Sequence, residues 1–433
     1  MKIRSRGIRK LAGGVGLAMA VTLLASGCSV TGASTVSGAG GGQSGTINAL
    51  FMKQAGYSET QINEMIASFE KKYPKITVKP TYVAYEALHD KIVTSAPAGT
   101  YDVVLTDVIW PAELASKGLI TDVTKKIPAS WKSEMLGGAL STAEYQNKYY
   151  GVPWGPSSKM FFYNKAMLAK VGATADDIKT WAGVLEVAKK LKDAGVVKYP
   201  LSWSWSQAEA LICDYAQILG AFGGSFTDSS GNLSVNDAHG VEALTWMRKT
   251  ITDGLTDPAS LTFLENDTDK SMAAGKTAME INWESTLADM NDSKISSIVG
   301  DAAVAVTPSG PTGLHPGVNG SMALSIPTGS KHQDAAWTFI KYVTSQPVQE
   351  KYTTGWLPNW KASYTNDAIT KVNPEIFAVG AKEYDSLIDR PEVTNYNSVS
   401  QILQVQLQKA LLGDETPQAA LDAAVSQAKS AKG

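Results

Sequence analysis

YYGVPWGPSSKMFFYNK, residues 149–165, holds Gly151, Pro153, Gly155 and Pro156 within six residues, followed by the apolar run Met160-Phe161-Phe162-Tyr163. Two prolines and two glycines so close together deny the chain helical geometry and fix its direction. Val152-Pro153-Trp154 reads as the end of a strand and Phe161 to Asn164 as the start of another element. The chain is therefore expected to pass here from one domain to a second, with Trp154 at the mouth of a cleft between them.

Length agrees with that division. A chain of 433 residues exceeds what one hydrophobic core fills, and two domains of roughly 150 to 200 residues are expected. Residues 1–27 stand apart: Lys2, Arg4, Arg6, Arg9 and Lys10 form a basic start and Leu11 to Ala25 an apolar run too short for a comfortable membrane span, the pattern of a secretory signal. The run ends in Leu24-Ala25-Ser26-Gly27-Cys28, which resembles the bacterial lipobox, although Ala25 stands where leucine is usual. That resemblance implies a diacylated Cys28 and a membrane anchor. Residues 28–45 follow as a flexible tether; Ser29 to Gly45 contains six glycines and four serines and nothing able to form a core. Without the signal, 34 basic residues face 41 acidic ones, a net charge of −7, which argues against nucleic acid as a partner. With Cys28 lipidated, Cys213 has no disulfide partner and reads as a small buried apolar residue.

From Thr46 onward the pattern alternates. Ile47 to Met52 reads as a strand, Ser58-Glu59-Thr60-Gln61 as a capping box opening a helix that Pro74 ends, and Ile76 to Val78 as a second strand. Glu86 to Ser95 makes another helix and Asp102 to Asp107 a strand of the continuous apolar type found in parallel sheets. This is the start of an open α/β sheet. The alternation resumes with helices after Thr180 and Asp237, a strand over Tyr199 to Trp205, a second capping box at Ser206-Gln207-Ala208-Glu209, and strands at Thr277 to Asn282, Val304 to Val306 and Ala323 to Ile326. Helices Gln333 to Thr344 and Ser398 to Leu412 and one opened by Thr416-Pro417 complete the chain.

Signatures of catalysis are scarce. Gly275-Lys276-Thr277 imitates the end of a P-loop, but Lys270 stands where its first glycine is required. His89, His239, His315 and His332 have no ligand spacing among themselves or to Cys213, so neither a metal nor a cofactor is expected. Tryptophan is plentiful instead, 11 in all. Trp154 and Trp283 end strands, Trp203 and Trp205 share one face at period two, and Trp356 and Trp360 bracket Leu357-Pro358-Asn359. A wide rigid ring suits the apolar face of a pyranose, and carboxylates suit its hydroxyls. Trp110, Trp181, Trp246 and Trp337 lie on helical patterns and read as core. Asp107 stands at the carboxyl end of a strand, where open α/β sheets bind ligands or where it could cap a helix. Arg248 and Arg390 are the sole arginines after the signal; in a chain that otherwise uses lysine, Arg390 before Pro391 suggests a need for the planar guanidinium fork, for ligand or for an ion pair.

Several segments together resemble the extracellular solute-binding proteins of family 1, carbohydrate receptors of bacterial ABC importers. They are SFEKKYPKITVK (68–79), YDVVLTDVIWPAELASKGLITDVT (101–124), KYYGVPWG with FYNKAML (148–168), MAAGKTAMEINW (272–283), DAAWTFIKYVTSQPVQEKY (334–352), RPEVTNY (390–396) and LLGDETPQAALDAA (411–424). The resemblance implies an α/β, two-lobed periplasmic-binding-protein-like fold with multiple hinge crossings, near Gly155, residues 296–304 and residues 330–345. An N-lobe of residues 46–154 and 304–335 and a C-lobe of 155–303 and 336–433 are expected. It also implies a non-enzymatic monomer that binds a di- or oligosaccharide and delivers it to permease subunits from the outer face of the cytoplasmic membrane of a Gram-positive cell. Ligand contacts are implied at Gln54, Tyr57, Asp107, Trp203, Trp205, Trp283, Glu284, Asn319, Gly320, Trp356 and Arg390, with Trp154 either stacking on sugar or wedging the hinge. A lipid-anchored glycoside hydrolase and a receptor for a non-sugar solute are the alternatives.

Overall fold

A computed structural model describes residues 44–53, 56–137 and 139–431. The expected signal, Cys28 with its expected anchor, most of the expected tether and Gln54 lie outside the described residues. In chain order the strands are β1 Gly45–Met52, β2 Ile76–Val83, β3 Val103–Asp107, β4 Glu144–Tyr145, β5 Lys148–Tyr149, β6 Val152–Gly155, β7 Lys159–Asn164, β8 Met279–Trp283, β9 Ala302–Ala305, β10 Gly317–Val318, β11 Met322–Ser325 and β12 Leu387–Ile388.

The first sheet has the order β2-β1-β3-β11-β6. β1 runs parallel to β2 and β3, pairing Ile47 with Val78 and Leu50 with Val104, and the connecting helices Glu59–Lys72 and Tyr85–Ser95 complete two crossover units. The capping box at Ser58 forms as expected, with reciprocal bonds to Gln61. Pro80 and Pro153 sit on the two edge strands, β2 and β6, where a missing N–H interrupts no ladder. β11 enters from far along the chain, antiparallel to both β3 and β6. Helix Gln333–Val343 covers this sheet, setting Phe339 edge-on to Phe69 at 5.1 Å.

The second sheet, β8-β7-β9, is antiparallel throughout. Its central strand is the MFFYN half of the opening stretch, and period two sorts its side chains. Phe161 and Tyr163 enter one core with Trp181, Trp203 and helix Glu209–Ala221, whereas Met160 and Phe162 enter another with Met290, Ile376 and Phe377. Both faces of the sheet are thus covered.

These pairings divide the chain differently from the expected lobe boundaries. Ala302–Ala305, partly assigned to the first lobe, pairs with β7 through Phe162 and Val304. The return passage therefore lies after β10, at residues 319–321, and not at 296–304. Residues 336–360, expected in the second lobe, contribute Phe339, Tyr352, Trp356 and Trp360 to the core of the first sheet. Leu357, Ile376 and Phe377 join the core of Met160 and Phe162, and Tyr396 returns to the first core, so segments of both cores alternate along this part of the chain. Short apolar runs carry no label for the sheet they join, so only pairing partners distinguish these placements. The passage after Gly155 lies where the Gly-Pro pair indicates, between β6 and β7.

The expected strand at 199–205 is not a ladder strand. Leu201 alone bridges to Thr256 and Met279, because side chains take the backbone donors that follow: Trp203 N–H donates to Ser260 Oγ and Ser204 N–H to Asp214 Oδ2. No helix among the described residues is long and apolar enough to cross a membrane.

Candidate ligand-binding cleft

A cavity of about 280 Å³ lies between the carboxyl ends of the first-sheet strands and helices of the second group. Met52 ends β1 on its wall and Asp107 ends β3, which is where open α/β sheets expose ligand sites. Tyr85 adds an aromatic surface from the start of its helix and stacks on Trp110 at 5.6 Å. The facing wall carries Glu209, the segment around Glu265 and the half-buried Trp283 at the end of β8.

Arg390 joins the two walls. Its Nη2 donates to Asp107 Oδ1 at 2.8 Å and its Nη1 to Glu209 Oε1 at 2.8 Å, and Nη2 also donates to the Asn319 carbonyl at 3.2 Å. Asp107 Oδ2 accepts from Tyr85 Oη at 2.7 Å, and Glu209 accepts from Tyr396 Oη and Ser400 Oγ. The guanidinium is buried, and its two carboxylate partners hold its pKa above the ordinary value against the effect of burial. Its Nε–H has no partner among the described residues. The planar fork inferred from arginine scarcity is thus engaged at both ends.

A second buried cation supports the facing wall. Lys159 Nζ donates to Asp214 Oδ1 at 2.6 Å and to Ser204 Oγ at 3.0 Å, and lies 3.3 Å from Glu265 Oε1. It also sits over the Trp283 ring, 5.3 Å from the centroid. Burial alone would lower the Lys159 pKa; the charges of Asp214 and Glu265 outweigh it and hold the pKa high. Trp283 Nε1 donates to Glu265 Oε1 at 3.3 Å, so one cation fixes both ring and carboxylate.

Of the residues expected at the site, Asp107, Trp283, Gly320, Trp356 and Arg390 line the cavity. Gly320 is there because the main chain crosses the Trp283 ring: a Cβ would come within 2.2 Å of Cζ3. Gly155 makes the same approach to Trp356, with 2.3 Å to Cδ2. Asn319 contributes its carbonyl to Arg390, while its side chain donates to Asp389. Tyr57 and Trp154 form an aromatic cluster with Trp356, the Tyr57–Trp154, Tyr57–Trp356 and Trp154–Trp356 centroids lying 5.0, 5.2 and 5.6 Å apart. Both are buried in the first core, so Trp154 packs between elements and presents no face to the cavity.

Trp203 and Trp205 do share a face, stacked at 5.5 Å and 11°. Trp203 and Trp205 are each 1% exposed, their shared face points into the second core with Trp181 and Trp246, and neither lines the cavity. Period two reports a common side but not which side is solvent.

Glu284 lies under the cleft floor, accepting from Ser157 Oγ at 2.9 Å, and Ser157 itself lines the cavity. Burial pushes the Glu284 carboxyl up to about 8, and burial likewise pushes Glu383 to about 7. A carboxyl whose folded pKa is raised binds more protons folded than unfolded, so its contribution to stability is complete below about 4.5 and is lost as pH rises through the folded value. Thermal melting should fall between pH 5 and pH 8, at up to about 1.4 kcal/mol per pH unit for one proton. Glu284→Gln should flatten that slope; an unchanged slope would assign it elsewhere.

Tyr85, Glu209, Glu265 and Lys159 are central here and were not singled out from sequence. Glu209 was read as part of a capping box, but the helix starts at Glu209 itself, Ala208 is its N-cap without a side-chain bond, and the carboxylate turns to Arg390. Lys159 carried one available signal: a lysine directly before the apolar run of a buried strand requires a charge partner. Gly275, from the P-loop look-alike, ends helix Glu265–Ala273 at φ +67°. Among the described residues no group of three or more His, Cys, Asp or Glu could hold a metal.

The model of the bacterial extracellular solute-binding protein family matches residues 40–350. The chain belongs to that family. A probable ABC transporter-binding protein of Deinococcus radiodurans is 26% identical over 349 residues, covering 78% of this chain and 81% of the relative. Maltose-bound T. maritima MalE3 superposes with a TM-score of 0.83 at 27% identity, covering 89% of this chain and 99% of that one. A Thermotoga lettingae solute-binding protein bound to alpha-D-tagatose gives 0.82 at 25% identity, covering 90% and 100%. This solute-binding protein is accordingly two-lobed and extracellular, works with an ABC transporter, and is a binding protein and not an enzyme.

Proposed function

We propose that this solute-binding protein is a sugar receptor, anchored through Cys28 to the outer face of a Gram-positive membrane, that closes on its ligand and delivers it to permease subunits. The observation that carries the reading is Trp283, half-buried on the cavity wall and fixed from behind by Lys159 and Glu265. A ring held rigid with one side toward a cavity offers stacking area at little cost in side-chain entropy. Asp107, Glu209 and Glu265 supply acceptors for hydroxyl donors. The maltose and tagatose carried by the two solved relatives are ligands of this chemistry.

Closure follows from geometry that places contacts on both walls, because ligand then stabilises the state in which the walls meet. Moving from 1% to 99% closed needs about 5.5 kcal/mol of differential binding. One stacked ring and several hydrogen bonds to charged groups, at about 1.5–3 kcal/mol each, are sufficient.

Tryptophan fluorescence titration of the mature protein with mono-, di- and oligosaccharides tests the reading, and a saturable response to at least one is expected. Trp283→Ala should weaken that ligand by about 1–2 kcal/mol, roughly tenfold, with little change in melting temperature. No response to any sugar rejects a sugar ligand. For the anchor, Cys28→Ser should move the protein from the membrane fraction to the medium; retention on the membrane rejects lipidation.

A further inference from the structure

Six carboxylates line the cavity, those of Glu86, Asp107, Glu209, Glu265, Asp267 and Asp289, against two cations, Lys270 and Arg390. Arg390 is already engaged by Asp107 and Glu209, so that triad keeps a formal charge of −1. Lys159, behind the wall, is held by Asp214 and Glu265 in the same way. Lys270 remains, but its side chain is 77% exposed and lies 3.9 Å from Asp267. No cation at this wall is in surplus over its carboxylate neighbours. Among the residues that line the cavity, the buried donor without a partner is Arg390 Nε–H, which suits a single oxygen acceptor such as a sugar hydroxyl.

We propose, resting on the sugar reading above, that the cleft selects its saccharide by charge: it takes neutral or amine-bearing sugars and rejects those carrying a carboxylate or phosphate. Carboxylates accept hydrogen bonds and donate none, so hydroxyl and ammonium groups find partners among the six, whereas an added anion is left with neutral donors such as Asn266, Ser285 and Thr286 and with cations outnumbered by carboxylates. A cleft with low-dielectric walls focuses the field of its like charges, which strengthens the discrimination. An ammonium near the Trp283 ring gains a further cation–π attraction.

The test is calorimetric titration of the mature protein with matched gluco-, galacto- and manno-configured sets, each containing the neutral sugar, its 2-amino derivative, its uronate and its 6-phosphate. In the configuration that binds, the uronate and the phosphate should be weaker than the neutral sugar by about tenfold or more, and the amine equal or tighter. An anionic member binding as tightly as the neutral one, or an amine as weak as the anions, overturns charge selection while leaving the sugar reading intact. Failure of every member, and of the disaccharides built from them, to bind rejects the sugar reading itself. Asp267→Asn with Asp289→Asn should narrow the neutral-to-uronate ratio by about threefold. An unchanged ratio in that folded double variant overturns the assignment of selection to this wall.

Discussion

Arg390→Ala should destabilise the protein by about 3–5 kcal/mol, because it leaves two carboxylates desolvated without their counter-ion. Asp107 and Glu209 lie on opposite walls and each gives an oxygen to the guanidinium at 2.8 Å. Tyr85 would still serve Asp107, and Tyr396 and Ser400 would still serve Glu209, but these are neutral donors facing two negative charges. Urea unfolding at neutral pH measures the loss. Arg390→Lys should recover only part of it, since a single ammonium cannot span both partners as the fork does. Adding Asp107→Asn and Glu209→Gln to Arg390→Met should restore most of the stability by removing the stranded charges. A loss under about 1 kcal/mol for Arg390→Ala would mean that water reaches the triad and screens it.

Lys159→Met should cost a similar amount, about 3–5 kcal/mol, for the same reason in the second core. The ammonium is fully buried and its chief partner, Asp214, is buried with it. Asp214 would keep only its bonds from Ser204, and Lys159→Met with Asp214→Asn should be more stable than Lys159→Met alone. The variant should also weaken sugar binding, since Lys159 supports Trp283 from behind and lies 3.3 Å from Glu265. Denaturation of single and double variants gives the coupling energy directly. Additive effects would show that the pair is not coupled.

Legibility in the sequence tracked how local each determinant was. The capping box at Ser58, the alternation over β1, β2 and β3, and the break at Gly155-Pro156 are set by neighbours in the chain, and each lies where the sequence places it. The second box at Ser206 failed because Glu209 had a stronger partner 181 residues away in Arg390. Which core residues 302–305 and 336–360 join is not legible locally, because a short apolar strand or amphipathic helix fits either core equally well. Trp203 and Trp205 share one face as their spacing predicts, and that face is buried in the second core, since burial depends on what packs above them.

What the sequence determined by itself was the class of the fold, the first passage between the sheets and the scarcity that marks Arg390. These rest on propensity, period and composition, which act within a few residues. The tertiary structure alone decided that Glu209 and Asp107 meet across Arg390 and that Lys159 braces Trp283. It also decided that the cleft wall is acidic, because these charges come together only when elements distant in sequence close around a shared cavity. A carboxylate's role depends on its partner and its burial, and neither is a property of the segment that carries it.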